Sequence, residues 1–499
     1  MSAENAQGGR PPLRAGGIGV EVAKSLDNGS RPYRHVLCVY PYRVGIRKDL
    51  LYPPIGIEMI AATLKPFARE VEVIDLRLDK GRTVDFVRDD TDLVCFSVNW
   101  DKEPDFVLSE ISSVPGTLRT IVGGRHATID PEGLLADCPN IDILVRGDGE
   151  EMTQEIARGV PLEKIDGVSF RRNGKVVHNP SRKMGPVSDI IFPDRKLRRH
   201  RYEAIVHGFY TGITVDTVAS SRGCPFNCKF CAFNRNPWGT KRGWSARSAE
   251  SVVSEIEQID ADFIGFVDDN FGQDMDRVGE LCDLLIERGI KKRYAAQARV
   301  EIAKRPDVIR KMERAGFSML LIGIESSQDK TLRSLQKGFT TARLREYFKT
   351  LSKTSILLQG FFILGCIGET PEEMIEVAPF ADELGVDIVT LRTLKNEPNT
   401  GLEELVEQNP GYYISSDGTI YSETCGRQQL SDIRHTIYRR FYRPGRSLKI
   451  LWKLLKNRIA TPGLLAKLPF FLFFNAIATR RRRRARRREA ALAAAGART

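Results

Sequence analysis

The sequence predicts an α/β protein, with two parallel-sheet domains in series followed by a helical extension. Three observations carry that reading. The chain is 499 residues long, more than one hydrophobic core organises. From His35 onward, short β-rich runs with little polar alternation are separated by helical stretches, the pattern of parallel strands covered on both faces. From Val215 the strand–helix unit repeats six times, which suits a partial (β/α)6 barrel. Residues 1–33, rich in Gly, Arg and Pro and without the apolar run of a secretory signal, are expected to be disordered. Residues 34–160 form a first, Rossmann-like domain, 161–213 a connector, 214–400 the partial barrel, 401–460 a helical lid and 461–499 a tail.

In the first domain, strands are predicted over 35–41, 71–76, 93–99, 119–123 and 141–146, with helices over 56–68 and 131–138. Open parallel sheets bind ligands outside the carboxyl ends of their strands. Those ends carry Ser97-Val-Asn-Trp100, Gly123-Gly-Arg-His126 and Arg146-Gly-Asp-Gly-Glu150. Glycines there let the backbone approach a large ligand and offer amide donors. In the connector, Val168–Arg172 and Lys175–His178 read as a hairpin about an Asn173-Gly174 turn. The second series has predicted strands over 215–220, 263–268, 294–300, 319–325, 357–364 and 387–393. Helices are predicted over 249–259, 275–288, 307–315, 342–353 and 371–384, and the active centre is expected at the strand carboxyl ends.

Directly after the first of these strands comes Ser221-Arg-Gly-Cys-Pro-Phe-Asn-Cys-Lys-Phe-Cys231, which sets Cys224, Cys228 and Cys231 at C-x3-C-x2-C spacing. A disulfide would use two thiols and strand the third. A structural zinc site usually takes four protein ligands, and no nearby Cys or His completes the set. A cubane iron–sulfur cluster suits three clustered thiolates better, with one iron left open. The other six cysteines, Cys38, Cys95, Cys138, Cys282, Cys366 and Cys425, are scattered, several of them in apolar runs. They read as small buried hydrophobes in a reducing, cytoplasmic setting.

With Phe230 before its last cysteine, the loop resembles the radical S-adenosylmethionine (SAM) superfamily. The resemblance implies a [4Fe–4S] cluster on Cys224, Cys228 and Cys231 whose open iron chelates SAM, with cleavage to a 5′-deoxyadenosyl radical. Arg247-Ser-Ala-Glu250 resembles the family's R-S-x-E and is expected to cap its helix. Gly323-Ile-Glu325-Ser326 matches G-I-E-S, and Gly365-Cys-Ile-Gly-Glu-Thr370 resembles G-x-P-G-E-T with Ile367 in place of proline. SAM contacts are therefore expected from Phe230, Asp269, Arg299, Glu325, Ser326 and Gly365. For Asp269 a simple helix cap is the alternative.

The first domain resembles the cobalamin-binding domain of one branch of these enzymes, through Tyr52-Pro-Pro-Ile-Gly56, Gly123-Gly-x-His126 and Arg146-Gly-x-Gly-Glu150. The resemblance implies cobalamin contacts from Ser97, Asn99, Trp100, Gly123, Gly124, His126, Gly147 and Glu150. The D-x-H-x-x-G motif of other cobalamin proteins is absent, so His126 is not expected to ligate cobalt and can simply bond its loop. Relatives in this branch include hopanoid C-methylases and the anaerobic magnesium-protoporphyrin ester cyclase. The function implied is a cobalamin-dependent methyltransferase acting on an unactivated carbon of an isoprenoid lipid or tetrapyrrole-like substrate. A radical cyclase and a non-catalytic iron–sulfur or cobalamin sensor are the alternatives. A flavodoxin- or ferredoxin-like electron donor is implied as well.

The net charge of +12 is unevenly spread. From Thr436 onward eighteen Lys or Arg face one acid, an excess of +17 that leaves about −5 for the rest. A nucleic-acid enzyme would spread positive charge along its cleft, so no nucleic-acid partner is expected. Residues 462–478 are strongly apolar but fall short of the ~20 residues of a spanning helix, and eight arginines follow within 480–488. This composition reads as a segment lying in an anionic membrane surface, hence a cytoplasmic, peripherally membrane-associated enzyme. A basic tail over a lid helix is the plainer alternative.

Overall fold

The computed structural model describes residues 31–43, 52–99, 103–187, 192–206, 209–232, 242–457 and 459. The expected disordered N-terminus up to residue 30, Trp100, and the apolar and polybasic tail from residue 461 lie outside the described residues.

The first sheet holds β1 (Tyr33–Tyr40), β2 (Ala68–Asp75), β3 (Thr91–Ser97), β4 (Arg119–Gly123), β5 (Ile143–Val145), β6 (Val168–Arg172) and β7 (Lys175–His178). Its order is β2-β1-β3-β4-β5-β6-β7, parallel from β2 to β5 and antiparallel beyond. Apolar cores cover both faces, as the unbroken apolar runs require. Two differences from the sequence reading have local causes. The helix expected over 56–68 is Ile55–Leu64, because Pro66 has no N–H to continue it, and β2 begins three residues earlier than expected. The predicted hairpin forms, with Asn173 and Gly174 both at positive φ. It is not a free connector, since β6 pairs with β5 and extends the first sheet.

The second sheet contains β8 (Glu203–Val206), β9 (Phe209–Val218), β12 (Phe263–Phe266), β13 (Arg293–Ala298), β14 (Phe317–Glu325), β15 (Leu357–Leu364) and β16 (Ile388–Thr393). Between β9 and β12, the short strands β10 (Ser221–Arg222) and β11 (Ser245–Ala246) pair with each other and flank the cysteine loop. From β9 to β16 six strands run parallel in chain order, the expected partial barrel, and β8 folds back antiparallel on β9. The predicted helix 371–384 is broken into Pro371–Ile375 and Val377–Glu383, because Pro379 cannot donate to the carbonyl four residues earlier. The lid contains more than helices: β17 (Tyr412–Ile414) and β18 (Ile420–Ser422) form a hairpin before helices Arg427–Phe441 and Pro444–Lys456. Helix Arg427–Phe441 guards the open barrel edge. The amides of Val389 and Leu391 on β16 donate to the hydroxyls of Tyr442 (3.1 Å) and Tyr438 (3.4 Å), which pairs off an otherwise bare strand edge.

The two sheets are tied by buried charge. Arg198, from the connector, holds Glu58 of the first domain (2.6 and 2.7 Å) and Asp216 on β9 (2.6 and 3.0 Å). Arg195 continues the chain to Asp216 (3.2 Å) and Glu255 (2.7 Å), and Arg247 closes it on Glu255. The first domain also closes the barrel floor. The Tyr52 ring lies against Gly265, where an added Cβ would come within 3.3 Å of it. Replacing Arg198 by Met should cost about 3–5 kcal/mol in a denaturant titration, because Glu58 would stay buried without a counter-charge and Asp216 with Arg195 alone. A loss below about 1 kcal/mol would show that the network carries no strain of charge burial.

Candidate functional site

The carboxyl ends of both sheets face one cavity of about 370 Å³. From the first domain, Ser97, Asn99, Gly123, Gly124, Gly147 and Glu150 line it, so six of the eight residues expected at a corrinoid converge on one space. Trp100 is outside the described residues, and His126 is not among the lining residues. His126 lies in the short helix Arg125–Ile129, and its amide donates to the Val98 carbonyl (3.0 Å). The floor is shaped by missing side chains. Gly124 sits at φ +105, where a Cβ would press to 2.7 Å from both the Val98 carbonyl and Asn99 Oδ1. Asn99 is held by donating to Ser97 Oγ (2.9 Å) and by accepting from the Arg125 amide (3.1 Å). A bare floor at strand ends fits the close approach of a large flat cofactor.

The opposite wall comes from the barrel: Arg222 and Ala232 flank the cysteine loop, Arg242 precedes β11, and Asp269 follows β12. Arg222 pairs with Glu150 and Asp148, and Arg242 donates to both oxygens of Asp148 (2.9 and 2.6 Å). Burial works against the Asp148 carboxylate, but these two guanidinium groups hold it below the usual carboxylate range. Asp269 accepts from the Gly223 amide (2.7 Å), directly before Cys224. Burial nevertheless pushes the Asp269 carboxyl upward, against that N–H and Arg242. Its neighbour Asp268 is buried deeper, is also pushed upward by burial, and accepts from the backbone and hydroxyl of Ser220 and from the hydroxyl of Ser221. Together the two aspartates pin the start of the cysteine loop.

Cys228 is buried, and Cys224 and Cys231 are partly exposed. Burial raises the Cys224 thiol, while the Phe226 amide and Arg299 oppose it. Among the described residues no three His, Cys, Asp or Glu side chains are gathered closely enough for one metal ion. One tetrahedral zinc draws its ligands to ~2.3 Å from a single centre. A cluster places each thiolate on its own iron and asks for a wider set, which three thiols on one short loop can supply.

Of the residues expected at SAM, Asp269 lines the cavity, Phe230 lies in the cysteine loop and Arg299 beside Cys228, while Glu325, Ser326 and Gly365 have partners of their own. Arg299 Nη1 lies 3.5 Å from Cys228 Sγ, and its guanidinium stacks 3.7 Å above the Phe226 ring. Glu325 stands at φ +74 and meets a partner the sequence gave no sign of: Lys337 Nζ donates to it at 2.7 Å, with both groups buried. The donor expected from a ligand is thus supplied within the chain, and Lys337 also lies 5.5 Å from the Phe230 ring centroid. Ser326 donates to Glu369 (3.3 Å). Gly365, at φ +76, makes room for Leu430 of helix Arg427–Phe441. Glu250 does not complete a capping box: Ser248 alone caps that helix, accepting from Ser251 (3.1 Å), and Glu250 turns out to Arg288. Within the lumen, Ala295 and Gln297 alternate with Ala296 and Ala298 of the helix-facing core, and exposed Gln297 and Val267 leave the space above Tyr52 open.

The comparisons agree with this arrangement. Residues 218–381 match the model of the Radical SAM superfamily, and residues 44–157 match that of the B12 binding domain. The chain thus carries a B12 binding domain followed by a radical SAM domain. It is 27% identical over 413 residues to an uncharacterized methyltransferase of Pyrococcus horikoshii, covering 78% of this chain and 88% of that one. It is 26% identical to the cytidylyl-2-hydroxyethylphosphonate methyltransferase of Streptomyces wedmorensis, over 89% of this chain and 91% of the relative. The hopanoid C-3 methylase of Methylococcus capsulatus is 26% identical over 60% of this chain and 59% of its own length. The fold is shared with the radical SAM methyltransferase TsrM of Kitasatospora setae, at a TM-score of 0.64 and 16% identity, over 83% of this chain and 89% of that one. The chain is thus a cobalamin-dependent radical SAM methyltransferase, with a [4Fe–4S] cluster, SAM and cobalamin as its cofactors.

Burial pushes the Glu369 carboxyl up to about 7 from an ordinary 4.5. The folded chain binds that proton more tightly than the unfolded chain, so the stability it adds is full below about pH 4.5 and is lost as pH rises through about 7. Glu369→Gln should therefore flatten the decline in denaturant midpoint between about pH 5 and about pH 8, by up to about 3 kcal/mol. Parallel pH profiles for the two proteins would rule this out.

Proposed function

We propose that this methyltransferase methylates an unactivated carbon of a hydrophobic substrate, an isoprenoid lipid or a tetrapyrrole-like ring, in the space between the two sheets. The observation that carries the reading is the single cavity lined both by the glycine floor of the first domain and by the flanks of the cysteine loop. In this reading Cys224, Cys228 and Cys231 hold the cluster, and the first-domain lining residues hold the corrinoid. When bound, the cluster supplies single-electron cleavage of SAM and the corrinoid supplies methyl transfer.

The protein's own part is position and exclusion of water. Arg222 and Arg242, clamped to Glu150 and Asp148, join the loop to the wall of the first domain, so the two cofactor positions cannot drift apart. Asp269 fixes the loop start through the Gly223 amide, and Tyr52 closes the lumen below. Arg299 offers an N–H to the Cys228 sulfur. A hydrophobic acceptor is favoured by the membrane-seeking composition of residues 462–488 and by the likeness to the hopanoid methylase. The partners in this reading are a flavodoxin- or ferredoxin-like electron donor and an anionic membrane surface.

Reconstituted anaerobically with cobalamin, SAM and dithionite, the enzyme should form both 5′-deoxyadenosine and S-adenosylhomocysteine. The first product alone would identify a cyclase, and neither would identify a sensor. Alanine at any one of the three clustered cysteines should abolish both products and lower bound iron and sulfide. Removing residues 464–499 should shift the protein from the membrane pellet to the supernatant. An unchanged distribution would sink the tail's role.

A further inference from the structure

Helix Pro444–Lys456 is built inside out. Two of its four charged residues face the protein: Lys453 is 3% exposed and donates to Asp387 Oδ2 (2.6 Å) and the Ile356 carbonyl (3.0 Å). Arg446 likewise reaches the Val386 carbonyl and Asp382. Three of its large apolar residues face out, with Leu448 68%, Trp452 57% and Leu455 43% exposed. The spacing i, i+4, i+7 puts these three side chains on one stripe of the helix. A water-facing helix normally shows the opposite arrangement, and it is the pairing of a buried lysine with an exposed apolar stripe that calls for an explanation.

We propose that this stripe seats on an anionic lipid surface, extending the membrane-association reading above from the tail to a folded element. Charge selects that occupant. Residues 444–457 contain no acid, and Lys449 and Lys456 flank the stripe, with the Lys456 ammonium 5.3 Å from the Trp452 ring centroid. The chain beyond the helix runs into the apolar segment 462–478 and the eight arginines of 480–488. Folding that segment back over the stripe would bring its arginines against Lys449 and Lys456, and a second copy of the helix would face like charge in the same way. An anionic headgroup layer over an acyl interior satisfies both the cations and the apolar side chains. Tryptophan suits the boundary between them, having an apolar body and a polar N–H.

The test uses the full chain with vesicles of phosphatidylcholine alone or with phosphatidylglycerol added. The parent protein should sediment with the anionic vesicles only, and nitroxide-labelled lipid should quench its fluorescence. Trp452→Phe should abolish most of that quenching. Leu448→Gln with Leu455→Gln, both at exposed positions that leave the fold intact, should weaken binding at least tenfold. If the parent binds while the double variant binds equally and Trp452 goes unquenched, the tail alone holds the membrane and the inference fails. If the parent fails to bind anionic vesicles, the membrane reading fails with it. Concentration-dependent self-association lost in the double variant, without vesicles, would assign the stripe to a second copy instead and overturn the proposal.

Discussion

The arrangement of this enzyme depends on a run of buried, alternating charges, Glu58–Arg198–Asp216–Arg195–Glu255–Arg247. Three carboxylates and three guanidinium groups cancel, and Arg198 meets both Glu58 and Asp216 in forked pairs, the geometry in which arginine binds carboxylate best. Such a network is a weak source of net stability, since well-packed apolar residues in the same volume do as well. What apolar packing would not supply is registry. Arg198 and Arg195 each answer two carboxylates on different elements, so a slip of one sheet against the other would leave a charge buried alone. The network starts on the first domain's helix Ile55–Leu64 and ends at Arg247, whose guanidinium also donates to the Ala219 carbonyl just before the cysteine loop. Registry between domains is thereby passed to the loop itself.

With that registry set, the carboxyl ends of two parallel sheets are held mouth to mouth. In isolation each sheet would present its ligand site to solvent, as open α/β sheets do. Facing each other, they turn two surface sites into one shared cavity, walled by the Arg222–Glu150 and Arg242–Asp148 pairs at the seam, with Tyr52 in the barrel floor. Radical chemistry demands such shielding, because a reactive intermediate exposed to water or to the wrong C–H bond is lost. The hard chemistry resides in the cofactors, and the protein contributes distance and dryness.

Much of this was legible in the sequence because it is local. Strand periodicity, the Asn173-Gly174 turn and the three closely spaced cysteines are short-range signals, and each appears where the residues put it. The glycine-bearing strand ends were legible for the same reason, and they meet at the cavity. What escaped is long-range. The partner of Glu325 is Lys337, twelve residues on and across a short helix, and nothing in its local sequence marks it as buried. Arg222, Arg242 and Asp148 act across a domain boundary, and Gly365 answers to Leu430 on a helix more than sixty residues later. The helix predicted over 371–384 failed for the opposite reason: its apolar periodicity was read, but the single missing N–H of Pro379 was not.

The position of the inside-out helix bears on how a membrane contact would serve catalysis. Lys453 and Asn457 bind the carbonyls of Ile356 and Ser355, at the start of β15, and Asp387 lies at the start of β16. The helix therefore lies under the amino-terminal end of the barrel, opposite the mouth where the cavity opens. A lipid surface met there cannot feed a substrate straight into the site. Attachment at that end, as proposed above, would instead hold the enzyme close to the membrane with the mouth turned toward the aqueous side, within reach of the proposed electron donor. The charge distribution supports the same orientation, because a body carrying about −5 is repelled by an anionic surface that attracts a tail carrying +17, so only the cationic end is drawn down.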